Sequence, residues 1–414
     1  MWKSLFERAG ERLAYAAASA AVFLLGLTIR YISHWNPLPL EAPRGVIALD
    51  ATGANTPHAA ALLTRNQQGN IWEVAYVAQG SRSAADLREL HYGFSEVLLP
   101  SGRIRGTLPL AAKQDQQAGG VVARRHDRSL SADDFYHELR NRCSQESTHD
   151  VLVFVHGFNV SFDEAVCRLA QLAEDLPFSG VVIAFDWESR GHELGYFQDQ
   201  RTTGTTQADL ARFLAELRET LPAETRLHLL AHSMGNRYTL NALELLANYQ
   251  PYLGATPAAA QEQTHALLQP QFKGWHRWNY RPGTVPPLTH LIFAAPDVSP
   301  DVFEQQVAQT RHLAQRMTLY CNSVDFALEL SRYVNGQGKH GYRTGDGRAS
   351  TGAGLDVIRL EEVSLRDPFG HSYFSNHPRV LDDLSGLLNT DQPAAARPTV
   401  TAGNWPASQQ YFIR

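Results

Sequence analysis

The sequence has few cysteines, little net charge and no metal-ligand motif, and each of these absences excludes a class of protein. Three cysteines occur in 414 residues. An odd, low number without metal-ligand spacing excludes a disulfide framework and leaves room for one bridge at most. The net charge of −5 gives no reason to expect a nucleic acid partner. No HExxH or similar pattern is present, so we expect no metal and no other cofactor.

An uncharged apolar run, LAYAAASAAVFLLGLTI, lies at residues 13–29. As a helix it would be about 25 Å long, at the short end of a membrane crossing, and Tyr31 and Trp35 follow it as interfacial aromatics often do. We therefore expect residues 1–35 to form an uncleaved signal anchor, with the bulk of the chain on the extracytoplasmic side of the membrane. The alternatives are a cleaved signal peptide, which would release a secreted or periplasmic protein, and a buried core helix.

The next part of the chain is predicted to contain a linker and short strands. Residues 36–70 are predicted to form the linker and the first strands, and further strand-like runs separated by turn residues follow. The polar stretch 111–130 is predicted to be a loop. Ser131 and Asp134 have capping-box spacing and predict a helix that ends near Cys143.

An alternation of apolar runs and helical patterns dominates the rest of the chain, which is 43% hydrophobic and 19% charged overall. Continuous apolar runs of this length are typical of strands buried on both faces; they lie at 150–156, 180–187, 226–232, 289–296, 317–322 and 355–363. Segments with helical periodicity separate them, which predicts an α/β domain over 71–390 with a mostly parallel, doubly wound sheet. Residues 250–287 interrupt the alternation and are predicted to be an inserted cap, and 391–414 are predicted to be a disordered tail.

The stretch LHLLAHSMGNR places a serine, Ser233, where a buried strand ends and a helix begins. Small residues flank it, Ala231 before and Gly235 after, as in the G-x-S-x-G elbow that exposes a nucleophile on a sharp turn. A plain helix N-cap is the alternative interpretation. Because the small flanking residues fit a crowded turn, we interpret Ser233 as a nucleophile.

A serine nucleophile needs a base, and in folds with this elbow the base follows later in the chain. His371, in DPFGHSYF, follows the last strand, and Gly370 would let its loop approach the serine. His340, before the last strand, and His377, at the start of the last helix, are the alternatives. We predict His371 as the base.

The base needs a carboxylate to orient it, and two follow neighbouring strands. Asp325 follows the second strand after the elbow, where most proteins of this type carry the acid, and Asp297 follows the first. We predict Asp325 as the acid and keep Asp297 as the alternative. Either could instead cap the helix that it precedes.

Two backbone N–H groups are candidates for holding a developing oxyanion. One belongs to Met234, directly after the serine, and the other to Phe158 in the loop HGFN. Gly157 permits an unusual backbone conformation in that loop. The Asn159 side chain would assist the oxyanion or brace the loop.

Six blocks of the sequence together resemble a bacterial α/β-hydrolase family of unknown function: VFVHGFN, AFDWESRG, LLAHSMGNR, FAAPDVSPDVF, CNSVDFALELS and GHSYF. The resemblance covers roughly residues 70–390. It implies an α/β-hydrolase fold and a catalytic triad of Ser233, Asp325 and His371. It implies no substrate, although some relatives are described as esterases or lipase-like.

These interpretations predict a serine hydrolase that cleaves carboxylic acyl esters through an acyl-enzyme intermediate. The aromatic residues within 250–287 suggest a small-molecule or lipid ester with an apolar acyl or aryl group. The alternatives are acyl transfer, amide or thioester cleavage by the same residues, and a non-catalytic, membrane-anchored binding module. The sequence names no protein partner.

Overall fold

The structure is a computed structural model that describes residues 63–66, 69–82, 88–110, 122–144, 149–189, 203–248, 285–334, 354–360, 370–403 and 410–413. Its strands form a single sheet. They are β1 (Leu63–Asn66), β2 (Gly69–Arg82), β3 (Arg88–Pro100), β4 (Ala123–Leu130), β5 (Asp150–Val155), β6 (Val181–Asp186), β7 (Arg226–His232), β8 (Leu288–Ala294), β9 (Ala314–Asn322), β10 (Leu355–Leu360), β11 (Val400–Ala402) and β12 (Gln410–Ile413).

The helices within the described residues pack on both faces of this sheet. They are α1 (Ala132–Ser144), α2 (Phe162–Asp175), α3 (Thr203–Thr220), α4 (Gly235–Asn248), α5 (Pro300–Thr310), α6 (Phe326–Val334), α7 (Tyr373–Asn376) and α8 (Pro378–Thr390). A capping box at Ser161 and Glu164 starts α2, because each side chain satisfies a backbone N–H that the helix leaves without a partner.

The sheet is parallel in its centre and antiparallel at its edges. Its strand order is β11-β12-β10-β9-β8-β7-β5-β6-β2-β3-β4, with β1 paired to β2. All pairs from β12 to β2 are parallel, and the pairs that involve β1, β3, β4 or β11 are antiparallel. The predicted α/β fold with a mostly parallel sheet between helices is confirmed.

Two apolar cores lie on the two faces of the sheet. In β5 alternate residues point to opposite faces, so that Val153 belongs to one core and Leu152 to the other. The core with Val153 packs against α1, α3, α4 and α5, and the core with Leu152 packs against α2 and α8. This burial on both faces explains why the central strands read as continuous apolar runs.

The prediction of a loop over 111–130 is wrong for its last part, which forms β4. This strand pairs with β3, and two of its arginines form ion pairs with carboxylates of other elements: Arg128 contacts Glu73 and Glu138, and Arg124 contacts Asp163. Local polarity favoured a loop, but partners from distant segments stabilise a strand at the edge of the sheet.

The prediction of a disordered tail over 391–414 is also wrong for the described residues. In this region β12 pairs in parallel with β10, and β11 pairs with β12. Arg397, fully buried, forms an ion pair with Asp383 of α8, and Tyr320 and Thr399 donate hydrogen bonds to the same carboxylate. The alanine-rich and proline-rich composition of this segment gives no local signal for these long-range contacts.

The prediction of a single-pass membrane protein is contradicted, because no helix among the described residues is long and apolar enough to cross a bilayer. Even the 18-residue helix α3 carries charged residues along its length. The run 13–29, on which the prediction rested, lies outside the described residues. So do the segments 1–62 and 249–284, which contain the predicted anchor and most of the predicted cap.

Candidate active site

Ser233 lies in the turn between β7 and α4 and has a positive φ of 53°. Residues other than glycine rarely adopt this conformation, and it is typical of strained functional turns. The turn is crowded, because a Cβ on Gly235 would lie 2.7 Å from the carbonyl oxygen of Val155. The preceding small residue, Ala231, is fully buried. Together these features account for the small residues on both sides of the serine.

Three hydrogen bonds hold the backbone carbonyl of Ser233. The backbone N–H of Asn236 donates to it over 3.1 Å, the Asn236 side chain over 3.0 Å, and the backbone N–H of Asp297 over 3.2 Å. The Ser233 N–H in turn donates to the carbonyl of Ala294 over 3.0 Å. The strained turn is therefore fixed to β8 and to its own helix.

His371 stands between the serine and a carboxylate. Its Nε2 lies 2.9 Å from Ser233 Oγ, and its Nδ1 lies 2.7 Å from Asp325 Oδ2. A carboxylate can only accept, so Nδ1 carries the proton and Nε2 offers a lone pair to the serine hydroxyl. The Asp325 side chain is fully buried, which strengthens its interaction with the imidazole.

Asp325 also starts the helix that follows it. Its other carboxylate oxygen, Oδ1, accepts a hydrogen bond of 3.0 Å from the backbone N–H of Leu328. The sequence presented a catalytic acid and a helix cap as alternatives for this residue. In the structure one carboxylate makes both contacts.

Gly370 lets the His371 loop approach β9. It has a φ of 65°, and a Cβ at this position would lie 2.7 Å from the carbonyl oxygen of Val324. Its own carbonyl accepts a hydrogen bond of 3.1 Å from the Asn322 side chain. Any larger residue would push the loop away from the site, as the sequence led us to expect.

The alternative acid, Asp297, faces other partners. Ser331 Oγ donates to its carboxylate over 2.6 Å, and the Arg237 guanidinium over 3.1 Å. It therefore joins α4 to α6 near the elbow. Of the alternative bases, His377 lies at the start of α8 and is buried, and His340 falls outside the described residues.

The HGFN loop lies against the serine. A Cβ on Gly157 would be 2.9 Å from the Ser233 Cβ, so the chain passes the Ser233 side chain at close range and Phe158 follows directly. Asn159 has a φ of 58°, and its N–H donates to Ser189 Oγ over 2.9 Å, which braces the loop. Met234, the other predicted donor, directly precedes the first turn of α4, where helix N–H groups favour negative charge.

The sequence did not single out three residues whose side chains contact the backbone of these loops. The His156 ring stacks on the Trp187 ring, and its Nδ1 lies 2.9 Å from the Gly157 carbonyl oxygen. His232 and Asn322 contact the backbone of the His371 loop. Two of the three were visible as histidines directly before Gly157 and Ser233, but a sequence does not show which backbone atom an imidazole reaches.

No cysteine or metal centre accompanies this site in the part of the chain that the structure describes. Cys143, Cys167 and Cys321 are buried and form no disulfide with one another. Burial raises the pKa of Cys143 and of Cys167 to about 12, so neither thiol is an activated nucleophile. The described residues contain no group of three or more His, Cys, Asp or Glu side chains suited to a metal ion.

Comparison with known families agrees with this architecture. The chain matches a family described as "Alpha/beta hydrolase of unknown function (DUF900)" over residues 131–388, a range that includes the elbow, both carboxylates and His371. No match was found among curated proteins. The match covers more than half of the sequence, and the chain therefore belongs to this family of α/β hydrolases.

Proposed function

We propose that the protein is a serine hydrolase that cleaves carboxylic acyl esters, with Ser233 as nucleophile, His371 as base and Asp325 as the acid that orients the base. One observation carries the proposal: the His371 ring lies within hydrogen-bond distance of both Ser233 Oγ and the buried Asp325 carboxylate. A helix cap or a surface histidine would not require this arrangement. A nucleophile and its general base do.

In the proposed reaction, Ser233 Oγ attacks the ester carbonyl while its proton moves to His371 Nε2. The negative oxygen that forms accepts hydrogen bonds from the N–H groups of Met234 and Phe158. His371 then gives the proton to the departing alcohol as the carbonyl–oxygen bond breaks, which leaves an acyl group on Ser233. Water, deprotonated by the same imidazole, attacks the acyl group and releases the acid and the free serine.

Asp325 contributes by fixing the tautomer and the orientation of the imidazole. With the Nδ1 proton held by the carboxylate, Nε2 is unprotonated and faces the serine. The imidazolium that forms during the attack is stabilised by the nearby negative charge. Each N–H at the oxyanion contributes on the order of 10²- to 10³-fold to the rate of such reactions.

The proposal is tested with a fluorophosphonate probe and a panel of p-nitrophenyl esters of increasing chain length, applied to the full chain. We expect the probe to label Ser233 and the esters to be hydrolysed. We expect Ser233→Ala to abolish labelling and to lower kcat/KM by at least about 10⁴-fold. Ser144→Ala, at an exposed serine at the end of α1, is the matched control and should behave as the unaltered protein.

The same experiment separates the alternatives. The panel also contains amides, thioesters and alcohol acceptors, and the products are identified. The products distinguish ester hydrolysis from amide cleavage and acyl transfer. A folded protein that the probe does not label would instead point to a non-catalytic binding module. Ester hydrolysis that survives Ser233→Ala would refute the assignment of the nucleophile.

A further inference from the structure

His232, the last residue of β7, lies directly before Ser233 and is almost completely buried. Its ring stacks on Phe374 at a centroid distance of 4.4 Å and an interplanar angle of 28°, and the centroid of the His371 ring is 4.8 Å away. A polar ring in this position needs a hydrogen-bonding partner to compensate for burial.

The partner is the backbone of His371. Nε2 of His232 lies 3.1 Å from the His371 carbonyl oxygen, and since a carbonyl only accepts, this nitrogen carries the proton. Burial, and then the neighbouring His371, hold the pKa of His232 well below its ordinary value. The ring is therefore neutral at neutral pH, with Nδ1 unprotonated.

The other edge of the ring faces the HGFN loop. A Cβ built on Gly157 would lie 3.0 Å from His232 Nδ1 and 2.9 Å from the Ser233 Cβ. One imidazole thus precedes the nucleophile in the chain, holds the backbone of the base residue and packs against the loop that contains Phe158.

We propose that His232 is a positioning residue that sets the distance between His371 and Ser233 and the approach of the Phe158 loop. It acts through the His371 carbonyl. Asn322 is its counterpart from β9, because its side chain donates to the adjacent carbonyl of Gly370. The base-bearing peptide is in this way held at two successive carbonyls, from the nucleophile strand and from the acid strand. The inference rests on the proposed serine hydrolase function.

The test separates the hydrogen bond from the packing of the ring. His232→Phe keeps an aromatic ring without a donor, and His232→Gln keeps an N–H donor without the ring. We expect His232→Phe to lower both kcat and the rate of fluorophosphonate labelling by about 10- to 100-fold with KM unchanged, since small displacements of a catalytic group have effects of this size. We expect His232→Gln to keep kcat and the labelling rate much closer to those of the unaltered protein.

His290→Phe is the matched control. His290 is also buried but lies near the start of β8, whereas the site lies beyond the carboxyl ends of the strands. This variant should leave the labelling rate unchanged. If His232→Phe does not fold, His232→Leu, which also lacks a donor, takes its place in the comparison with His232→Gln.

A measurement on the unaltered protein is independent of any variant. Two-bond ¹H–¹⁵N spectra should show His232 as the Nε2–H tautomer, unchanged between pH 5 and 8. A His232 that titrates in this range or carries its proton on Nδ1, or a donor-free variant labelled at the unaltered rate, would overturn the inference. Absence of labelling in the unaltered protein would instead refute the proposed function.

Discussion

Asp297 and Asp325 each lie three residues after the end of a strand, β8 and β9 respectively, so their distance from the strand end does not distinguish them. At the scale of single residues their surroundings do. Asp325 accepts from His371 Nδ1, whereas Asp297 accepts from Ser331 and Arg237. The first contact bears on the charge of the imidazole that we propose as the base, and the second on how α4 and α6 are held together.

We therefore predict opposite profiles for the two asparagine variants. Asp325→Asn should lower kcat by about 10⁴-fold, because an amide no longer requires the Nδ1–H tautomer of His371. Asp297→Asn should change kcat by less than about tenfold and lower the free energy of unfolding by about 2 kcal/mol, since it removes the charge that Arg237 faces. Ester turnover and urea denaturation measure the two effects. The reverse pattern would make Asp297 the acid.

At the scale of secondary-structure elements, β7 and β8 bring two histidines together inside the protein. His228 and His290 are register partners on these strands, and their rings stack at 4.9 Å with an interplanar angle of 13°. Both are buried. Burial lowers the pKa of His228, and burial followed by the neighbouring His228 lowers the pKa of His290 to about 2. Both rings are therefore neutral in the folded protein at neutral pH.

This pair makes stability depend on pH in a defined direction. The folded pKa values lie below the unfolded value of about 6.5, so the unfolded chain takes up protons first and stability falls as the pH decreases below about 6.5. Each such histidine costs up to about 1.4 kcal/mol of unfolding free energy per pH unit. We predict that His290→Gln reduces this slope between pH 6 and 4.5 in urea denaturation, and that His126→Gln, at an exposed position of β4, leaves it unchanged. An equal slope in both variants would contradict the account.

A sequence pattern identifies a strand when the pattern itself shows what the strand packs against. The run DVLVFV predicts a strand buried on both faces because every position after Asp150 is apolar, and β5 is buried at all five of those positions. The stretches ARRHDRSL and QYFI carry no comparable signal, because β4 depends on Glu73 and Glu138 for neutralisation and β12 depends on β10 for pairing. Such partners lie far away in the chain and are not visible locally.

The same distinction applies to the site. Chain order and the small residues around Ser233 were sufficient to select His371 and Asp325, and the structure brings the three side chains within hydrogen-bond distance; their catalytic roles stay a prediction. The contact of His232 with the His371 carbonyl could not be predicted, because it depends on the path of a loop. A sequence indicates which residue types are present but not where backbone oxygens point.

At the scale of the whole molecule, both edges of the sheet are built by residues outside the family match. Strands β1 to β4 precede residue 131, and β11 and β12 follow residue 388. The residues after 388 are also held to the interior, because Arg397 forms an ion pair with the buried Asp383 carboxylate of α8. Since α8 follows closely after His371 in the chain, the tail supports the part of the molecule that carries the proposed base.

We predict that the tail is required for stability. Deleting 391–414 removes Arg397 from a buried carboxylate and exposes the edge of β10, so the shortened chain should lose more than about 3 kcal/mol of unfolding free energy and aggregate through the open edge. Arg397→Met, which keeps both strands, should lose about 3 kcal/mol without aggregating. Urea denaturation and light scattering distinguish the two contributions. A deletion variant as stable and as monodisperse as the full chain would contradict this prediction. It would show that neither the pairing of β12 with β10 nor the Asp383–Arg397 ion pair contributes to the stability of the fold.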